Sequence, residues 1–519
     1  MSTKATSRPY FVTTAIPYVN SAPHIGFGME LILADVLARH QRQRGRDVHF
    51  LTGTDENSLK NVLAAEAEAL PTQTLVERNA AAFHTLRETL GLSFDDFIRT
   101  SAEPRHSAGV EALWNACHAR GDIYKKVYRG LYCVGCEQFY TDADLPGGAC
   151  PEHGTRPERV EEENYFFRLS RYQAQIVALL ESDRLRITPQ HHRNEVLALA
   201  KGGLVDFSIS RSSARARGWG IPVPGDPTQV MYVWFDALGN YITALDYATD
   251  GDAFHRYWGG TGDRVHVLGK GITRFHAVYW PAILLSAGLP LPTDLAVHGY
   301  LTVDGRKIGK SLGNAIHPEH IADACGLDPL RYYLCRHVRA GRDGDFTLER
   351  VLHVRDTELA DLLGNLLERT VRMIERYYDG RVPPAGPNSP LAPLAASVHS
   401  EVDAAFDALR PDHALDAIWS LVEATNKYVV ERAPWSLAKH RDDPATETRL
   451  AATLYDLAEV LRLLAVHLEP FIPTTAAALR QRLSVDSSRP EHTTTDWGGL
   501  AVGTTVREGP LLFPKRARG

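Results

Sequence analysis

The sequence predicts an α/β protein in which a doubly wound parallel sheet is split by a metal-binding insertion and followed by an α-helical bundle. Three observations carry that prediction. Strand-like and helix-like runs alternate from Tyr10 to Cys117 and resume at Met231. The segment between them holds two close pairs of metal-ligand residues in a loop rich in Gly, Pro and Asp. Beyond Asp343 strand signals fade and long helical periodicities replace them.

Taken in order, the apolar run Tyr10–Thr14 is expected as the first strand, Met29–Arg39 as the first helix and Asp47–Thr52 as the second strand. Strand-like runs return at Met231–Phe235, Val265–Leu268 and Ala296–Val303, with a helical segment over Phe275–Ala287. This Rossmann-like alternation places the first half of a nucleotide fold at 1–118, an insertion at 119–230, the second half at 231–325 and a linker region at 326–350. Helical periods over Thr347–Tyr377, Leu394–Leu409, His413–Trp435 and Thr446–Leu483 fill the remainder, 351–519. Arg381–Pro393 links the first two helices, and the residues from 484 onward read as an extended tail with poorly ordered ends.

A chain of 519 residues exceeds what one hydrophobic core normally organises, so several domains are expected. With 44% hydrophobic and 23% charged residues it is an ordinary globular composition. Met1–Pro9 lacks an apolar signal core, and the greasiest stretch, Ala277–Leu291, is interrupted by Pro281 and Gly288 and is too short to span a bilayer. A cytoplasmic protein with no membrane partner is the expectation. The formal net charge of −6 argues against wholesale coating of nucleic acid but leaves room for local basic patches. Arg39, Arg42, Arg44 and Arg46 form one candidate, Arg211, Arg215 and Arg217 a second, and Lys515, Arg516 and Arg518 a third. Each taken alone also reads as ordinary solvated charge.

Within the insertion, Cys133-x-x-Cys136 and Cys150-x-x-His153 supply three thiols and an imidazole in two close pairs, the donor set and spacing that tetrahedral Zn²⁺ favours. With all four positions filled, no site remains for a reacting water, so the metal is expected to be structural. Two chance pairs or a disulfide are the alternatives, disfavoured because the cytosol is reducing and a loop this polar could not otherwise bury a core. Cys117, Cys325 and Cys335 are isolated and read as core thiols.

Two distant segments carry the chemistry. Pro23-His24-Ile25-Gly26-Phe27-Gly28 follows the first strand and opens the first helix, placing ring and backbone donors where a helix N-terminus receives phosphate. Lys307-Ile308-Gly309-Lys310-Ser311 lies in a loop and supplies two ammonium groups. Together they read as two halves of an ATP site, with Gly26 permitting close approach of a nucleotide to the backbone and Gly309 letting the lysine loop move.

This pairing resembles the signatures of the class I aminoacyl-tRNA synthetases. Thr13-Thr14-Ala15-Ile16-Pro17-Tyr18-Val19-Asn20, Leu51-Thr52-Gly53-Thr54-Asp55-Glu56, Tyr232-Val233-Trp234-Phe235-Asp236-Ala237 and Arg274-Phe275-His276-Ala277-Val278-Tyr279-Trp280-Pro281 narrow the resemblance to the methionyl-tRNA synthetases, over about Tyr10 to at least Lys439. The resemblance implies ATP-dependent activation of L-methionine to the adenylate, with Mg²⁺ on the phosphates, and transfer to the 3′ end of tRNA(Met). It makes His24, Lys307 and Lys310 the catalytic groups, with Gly26, Phe27, Gly269 and Ser311 completing the nucleotide site. Asp55 would hold the substrate ammonium. Ala15, Ile16, Tyr18, Trp234, Ala237, Leu238, Tyr241 and His276 would line the side-chain slot. By periodicity alone Trp234 and Tyr241 read as core packing. The helical part would be an anticodon-binding domain whose Asn365, Arg369 and Trp435 contact the tRNA, an indole face taking an unstacked base. A Trp after Pro at a helix boundary reads otherwise as a packing residue. The insertion is too short for the editing domain of related enzymes, and the absence of an appended oligonucleotide-binding barrel leads to the expectation of a monomer.

The chain departs from the family pattern around one site. Phe27 stands at the second signature histidine, Ile308-Gly309 at Met-Ser, Asn57-Ser58 at His-Gly and Gly271 at the Asp of Gly-Lys-Asp. Phe27 cannot donate to a phosphate oxygen, and losing such a donor costs on the order of 3 kcal/mol unless a neighbour compensates. Retained synthetase activity is favoured, because His24, both lysines and the binding residues remain. The alternatives are a paralogue that binds tRNA or amino acid without catalysis, or one that passes the activated amino acid to another acceptor.

Overall fold

The computed structural model describes residues 8–133, 138–140, 145, 147–150, 154–303, 305–308, 316–486 and 494–514. They fall into two compact units, one of Met1–Ala34, Gln41–Glu88 and Leu92–Gly299, the other of Asp35–His40, Thr89–Gly91 and Tyr300–Gly519.

The first unit is built on a six-stranded sheet of β1 (Tyr10–Thr14), β2 (Val48–Thr54), β3 (Asp96–Arg99), β4 (Arg186–Thr188), β5 (Asp263–Gly269) and β6 (Asp294–His298). Their order is β3-β2-β1-β5-β6-β4, and every pairing is parallel. All five residues of β1 are buried, as a central strand covered on both faces requires. The helices are α1 (Ile25–Gln43), α2 (Leu59–Ala67), α3 (Thr72–Thr89), α4 (Pro104–Ala119), α5 (Gln173–Glu181), α6 (Gln190–Gly202), α7 (Val233–Thr243) and α8 (Trp280–Ala287). Local chemistry sets their ends. Ser58 caps α2 by accepting from Lys60 N, Pro104 opens α4, and Gly288 closes α8 at φ +73°. The order of the strands turns between β1 and β5, which makes their carboxyl ends the place where an open α/β sheet binds ligands.

Three sequence expectations are corrected here. Met231–Phe235 is not a strand: Asp226–Met231 ends a small antiparallel sheet with Ser210–Ser212 and Pro222–Val223, and Val233 already begins α7. Ten of the eleven α7 residues are buried, so the run carries no polar period by which helix and strand differ. Part of the expected insertion belongs to the main sheet, since β4 pairs with β6 through Arg186↔Asp294 to Thr188↔Ala296. Its three residues give no periodic signal. Finally, Ala296–Val303 divides, its end Leu301–Val303 joining Arg306–Lys307 and Gly344–Asp345 in a separate sheet. The rest of the insertion includes a four-stranded sheet centred on a long hairpin, Ile123–Cys133 against Glu158–Phe167, flanked by Gln138–Tyr140 and Phe207–Ser208.

The second unit is helical: α9 (Pro318–Cys325), α10 (Leu327–Arg336), α11 (Leu348–Val354), a π-helical stretch Arg355–Gly364, α12 (Asn365–Tyr378), α13 (Ala392–Asp407), α14 (Pro411–Arg432), α15 (Pro434–Leu437), α16 (Pro444–Leu468) and α17 (Pro473–Arg482). The single period expected over Thr446–Leu483 is two helices, because Pro473 has no N–H to continue the first and instead starts the second. Helix α16 is the core of the unit, buried without interruption from Leu457 to Leu468. Inside it Glu459 and Arg462 form a fully buried ion pair at 2.7 Å. Glu459 also accepts from the amides of Gly498, Gly499 and Leu500, and Arg462 donates to the carbonyls of Thr494 and Asp496, so the tail is fastened to α16. Arg331 of α10 is equally buried, donating to Asp35 and to the carbonyls of Leu90, Pro470 and Phe471.

Most arginines of the first two basic clusters are paired with carboxylates of the same unit. Arg39 pairs with Asp35, Arg42 with Asp95, Arg46 with Asp263, Arg215 with Glu162 and Arg217 with Glu66, while Arg211 is buried. The third cluster lies outside the described residues. No helix among the described residues is long and apolar enough to cross a membrane.

Candidate active site

At the mouth of α1, Gly26 N–H donates to His24 Nδ1 at 3.1 Å. That bond fixes the tautomer of the neutral ring, because Nδ1 must be bare to accept and Nε2 therefore carries the proton. A β-carbon on Gly26 would lie 2.9 Å from His24 Cε1, so only glycine lets the imidazole fold over the helix start. Phe27 places its ring edge-to-face on Phe83 of α3, with centroids 5.3 Å apart. The side chain that replaces a hydrogen-bond donor is thus a packing group here.

Glu30, one turn further along α1, accepts from Ala15 N–H at 2.8 Å and faces His298 Nε2 at 2.8 Å. His298 Nδ1 lies 2.8 Å from Gly299 O. The His298 ring stands against Gly269, whose added β-carbon would meet Cε1 at 3.4 Å. Ala15, Glu30, Gly269 and His298 therefore converge at the carboxyl ends of β1, β5 and β6. Sequence reasoning placed Ala15 and Gly269 in this site and missed Glu30 and His298, which are 268 positions apart.

The expected amino-acid residues are brought together in two groups. Tyr18 and Asp55 form an isolated parallel bridge, with Asp55 N donating to Pro17 O at 2.9 Å and Lys60 Nζ 4.6 Å above the Tyr18 ring. Ala15 and Ile16 are half-buried on the same segment. In the second group Trp234 stacks on Phe275, with centroids 3.8 Å apart and planes 4° from parallel, and its buried Nε1 makes no hydrogen bond. Tyr241 Oη lies 2.7 Å from His276 Nε2, whose Nδ1 faces Ile272 O at 3.0 Å. Since a carbonyl only accepts, Nδ1 carries the proton and the tyrosine hydroxyl donates to Nε2. Burial pushes the His276 imidazole down to about 4, so it is neutral at physiological pH, and burial also raises the Tyr241 phenol. Ala237 and Leu238 are buried beside them. His266 lies in the core between β1 and the second group, its Nδ1 2.7 Å from Thr13 Oγ1 and its ring 4.1 Å from that of Tyr241, tilted by 31°. Burial lowers His266 well below its usual range, and sequence reasoning did not find it.

Glu56, next to Asp55, is fully buried and accepts from Arg99, Ser101 and Thr54. Trp219 Nε1 donates to Glu56 O at 2.7 Å, buttressing the same turn. Asn57 then turns its amide to Asp236 of α7 at 2.7 Å.

Other expected residues stand elsewhere. The backbone of Lys307 ends a two-residue strand in the second unit, and Lys310 and Ser311 lie outside the described residues. Cys133 and Cys150 are buried, whereas Cys136 and His153 lie outside the described residues. Among the described residues no group of three or more metal-ligating side chains is assembled. Asn365 and Arg369 are four apart on α12 and so share a face, and Trp435, 43% exposed, opens α15 after Ala433 in the left-handed conformation. Arg369 donates to Asn426 Oδ1 at 2.6 Å.

A parallel sheet with an imidazole at a helix mouth beside its switch point is the arrangement of a class I aminoacyl-tRNA synthetase. The family model described as "tRNA synthetases class I (M)" matches residues 10–159 and 148–371, and "Anticodon binding domain of methionyl tRNA ligase" matches 392–517. The methionine–tRNA ligase of Brucella suis biovar 1 is 43% identical over 517 residues, 98% of each chain. That of Mycobacterium tuberculosis H37Rv is 42% identical over 516 residues, 98% of this chain and 96% of the relative. The solved structure of Mycobacterium tuberculosis methionyl-tRNA synthetase in complex with methionyl-adenylate superimposes with a TM-score of 0.92 at 40% identity, covering 98% of this chain and all of that one. Its free-state form gives 0.87 at 38% identity with full coverage of both. The chain belongs to the methionyl-tRNA synthetase family.

Proposed function

We propose that the site at the carboxyl ends of β1, β5 and β6 joins L-methionine to ATP and that the enzyme then transfers the methionyl group to the 3′ end of tRNA(Met). In the first step the substrate carboxylate attacks the α-phosphorus and pyrophosphate leaves, so the protein's task is alignment and charge stabilisation. His24 offers Nε2–H and the start of α1 its amides to the phosphates, while Lys307, Lys310 and Ser311 add donors from the lysine loop. Mg²⁺ carried on the phosphates would neutralise charge and hold them in line. Glu30 and Gly269 face the nucleoside. Asp55 takes the substrate ammonium, and Trp234, Ala237, Leu238, Tyr241 and His276, with Ala15, Ile16 and Tyr18, enclose the thioether chain. Asn365, Arg369 and Trp435 receive the anticodon loop.

The observation that carries this reading is the buried, uncharged Tyr241–His276 pair beside the stacked Trp234 and Phe275 rings. Such a slot suits a polarisable apolar chain with one hydrogen-bonding end. The test is methionine-dependent pyrophosphate exchange, followed by charging of purified tRNA(Met). Exchange that follows leucine or isoleucine instead, or folded enzyme that charges no tRNA, would overturn it.

The insertion is proposed to bind one structural Zn²⁺ through Cys133, Cys136, Cys150 and His153. Two of these, Cys133 and Cys150, are buried, and the backbone of Cys150 is tied to Gly154, whose amide donates to Cys150 O, and to Thr155 O, which accepts from Cys150 N. The ion would stabilise the hairpin tip. Metal analysis is expected to give one zinc per chain, reduced to near zero in Cys150→Ser, with methionine-dependent exchange largely retained. The enzyme is proposed to act in the cytoplasm as a monomer.

A further inference from the structure

Three elements of the first unit meet on one buried carboxylate. Asp236, in the first turn of α7, receives Asn57 Nδ2 on Oδ2 at 2.7 Å and faces His106 Nε2 of α4 through Oδ1 at 2.5 Å. His106 Nδ1 in turn lies 2.8 Å from Thr243 Oγ1 at the far end of α7. Asp236, His106 and Thr243 are within 1% of complete burial. The second hydrogen of the Asn57 amide goes to Thr100 O at 3.3 Å, so both of its partners are acceptors and the amide has one possible orientation. On its outer side Asn57 lines an open polar cleft of about 430 Å³ with Thr100, Ser101, Glu103 and Ser107.

The network spans the two halves of the methionine slot. Asp55 stands two residues before Asn57, and the α7 side chains Trp234, Ala237, Leu238 and Tyr241 flank Asp236. We propose that Asn57, Asp236 and His106 are positioning residues for methionine: they hold α7, which walls the side chain, at a set distance from Asp55, which takes the ammonium. The proposal rests on the assignment of that slot. A buried carboxylate deprived of a donor draws in water or moves, and here the helix moves with it. Asn57 also shows how this chain keeps the junction with an amide, where the resembling family has histidine: each offers an N–H to Asp236.

The test is pyrophosphate exchange with Asn57→Ala, Asn57→His and Asn57→Asp, alongside Asp55→Ala. Asn57→Ala is expected to raise the methionine KM about tenfold while the ATP KM stays within twofold, because only the amino-acid slot loses its alignment. Asn57→His, which restores an N–H donor, is expected to recover most of the loss, and Asn57→Asp, which sets one carboxylate against another, to deepen it. A methionine KM within twofold of the wild type in Asn57→Ala overturns the proposal. So does a parallel rise in both KM values with a lowered melting temperature, the mark of a merely structural role. Asp55→Ala separates this from the slot itself: an unchanged methionine KM there refutes the slot, whereas a raised one beside a silent Asn57→Ala refutes only the network.

Discussion

At the scale of single residues, Gly26 and Tyr241 make the sharpest demands. A methyl group at Gly26 would collide with the His24 ring, and the ring, not the backbone of a helix start, is what can move. Gly26→Ala is therefore expected to lower kcat for pyrophosphate exchange by roughly tenfold or more, with the methionine KM near wild type, since only nucleotide alignment suffers. Tyr241→Phe removes the hydroxyl that donates to His276 Nε2 and leaves a buried acceptor unsatisfied, a cost of about 1–3 kcal/mol. A methionine KM raised several-fold in steady-state exchange, with ATP unaffected, checks it. His24, Asp55, Trp234 and His276 could be proposed from the sequence because each sits in a short string that resembles the family's own. Glu30, His298 and His266 could not, because a carboxylate or imidazole acquires its role only from a partner hundreds of positions away.

Among elements, α7 and β4 mark the boundary of what periodicity reveals. A helix buried on nearly every face and a strand of three residues carry no usable period, and the amphipathic pattern that identified α12 and α14 has nothing to report there. The turn after β2 is fixed instead by Glu56, which binds Arg99 at the end of β3 and Ser101 beyond it. Glu56→Gln keeps the shape but removes the charge opposite Arg99. It is expected to destabilise the first unit by about 2–3 kcal/mol, read as a lower first transition in scanning calorimetry, because a partly buried guanidinium loses its counter-charge. The expectation of a metal rests on the spacing of the two cysteine pairs alone, whereas the join of the insertion to the sheet rests on the pairing of β4 with β6.

For the molecule as a whole, acid acts on both units through buried imidazoles. Burial holds His276 at about 4 and His467 at about 3, below the ordinary value of 6.5. The unfolded chain therefore takes up protons first as pH falls. Stability is complete above about 6.5 and is lost progressively down to the folded values, by about 2 kcal/mol per group at pH 5. Calorimetry at pH 7.5 and 5 is expected to show both transitions lowered, and His467→Gln to flatten the dependence of the second. In the helical unit Glu459→Ala would strand Arg462 in the core and free the tail amides, a loss of about 3–5 kcal/mol, visible as new proteolytic cuts between residues 494 and 506. The strand order has a consequence for biosynthesis. β1, the middle of the sheet, is made first, but its neighbour β5 is not complete until residue 269, and β4 waits for β6 at 298. About half the polypeptide must leave the ribosome before that open edge is covered, so the nascent chain carries an unpaired strand edge with the apolar Tyr10, Phe11 and Val12 through that time and is a natural client for chaperones.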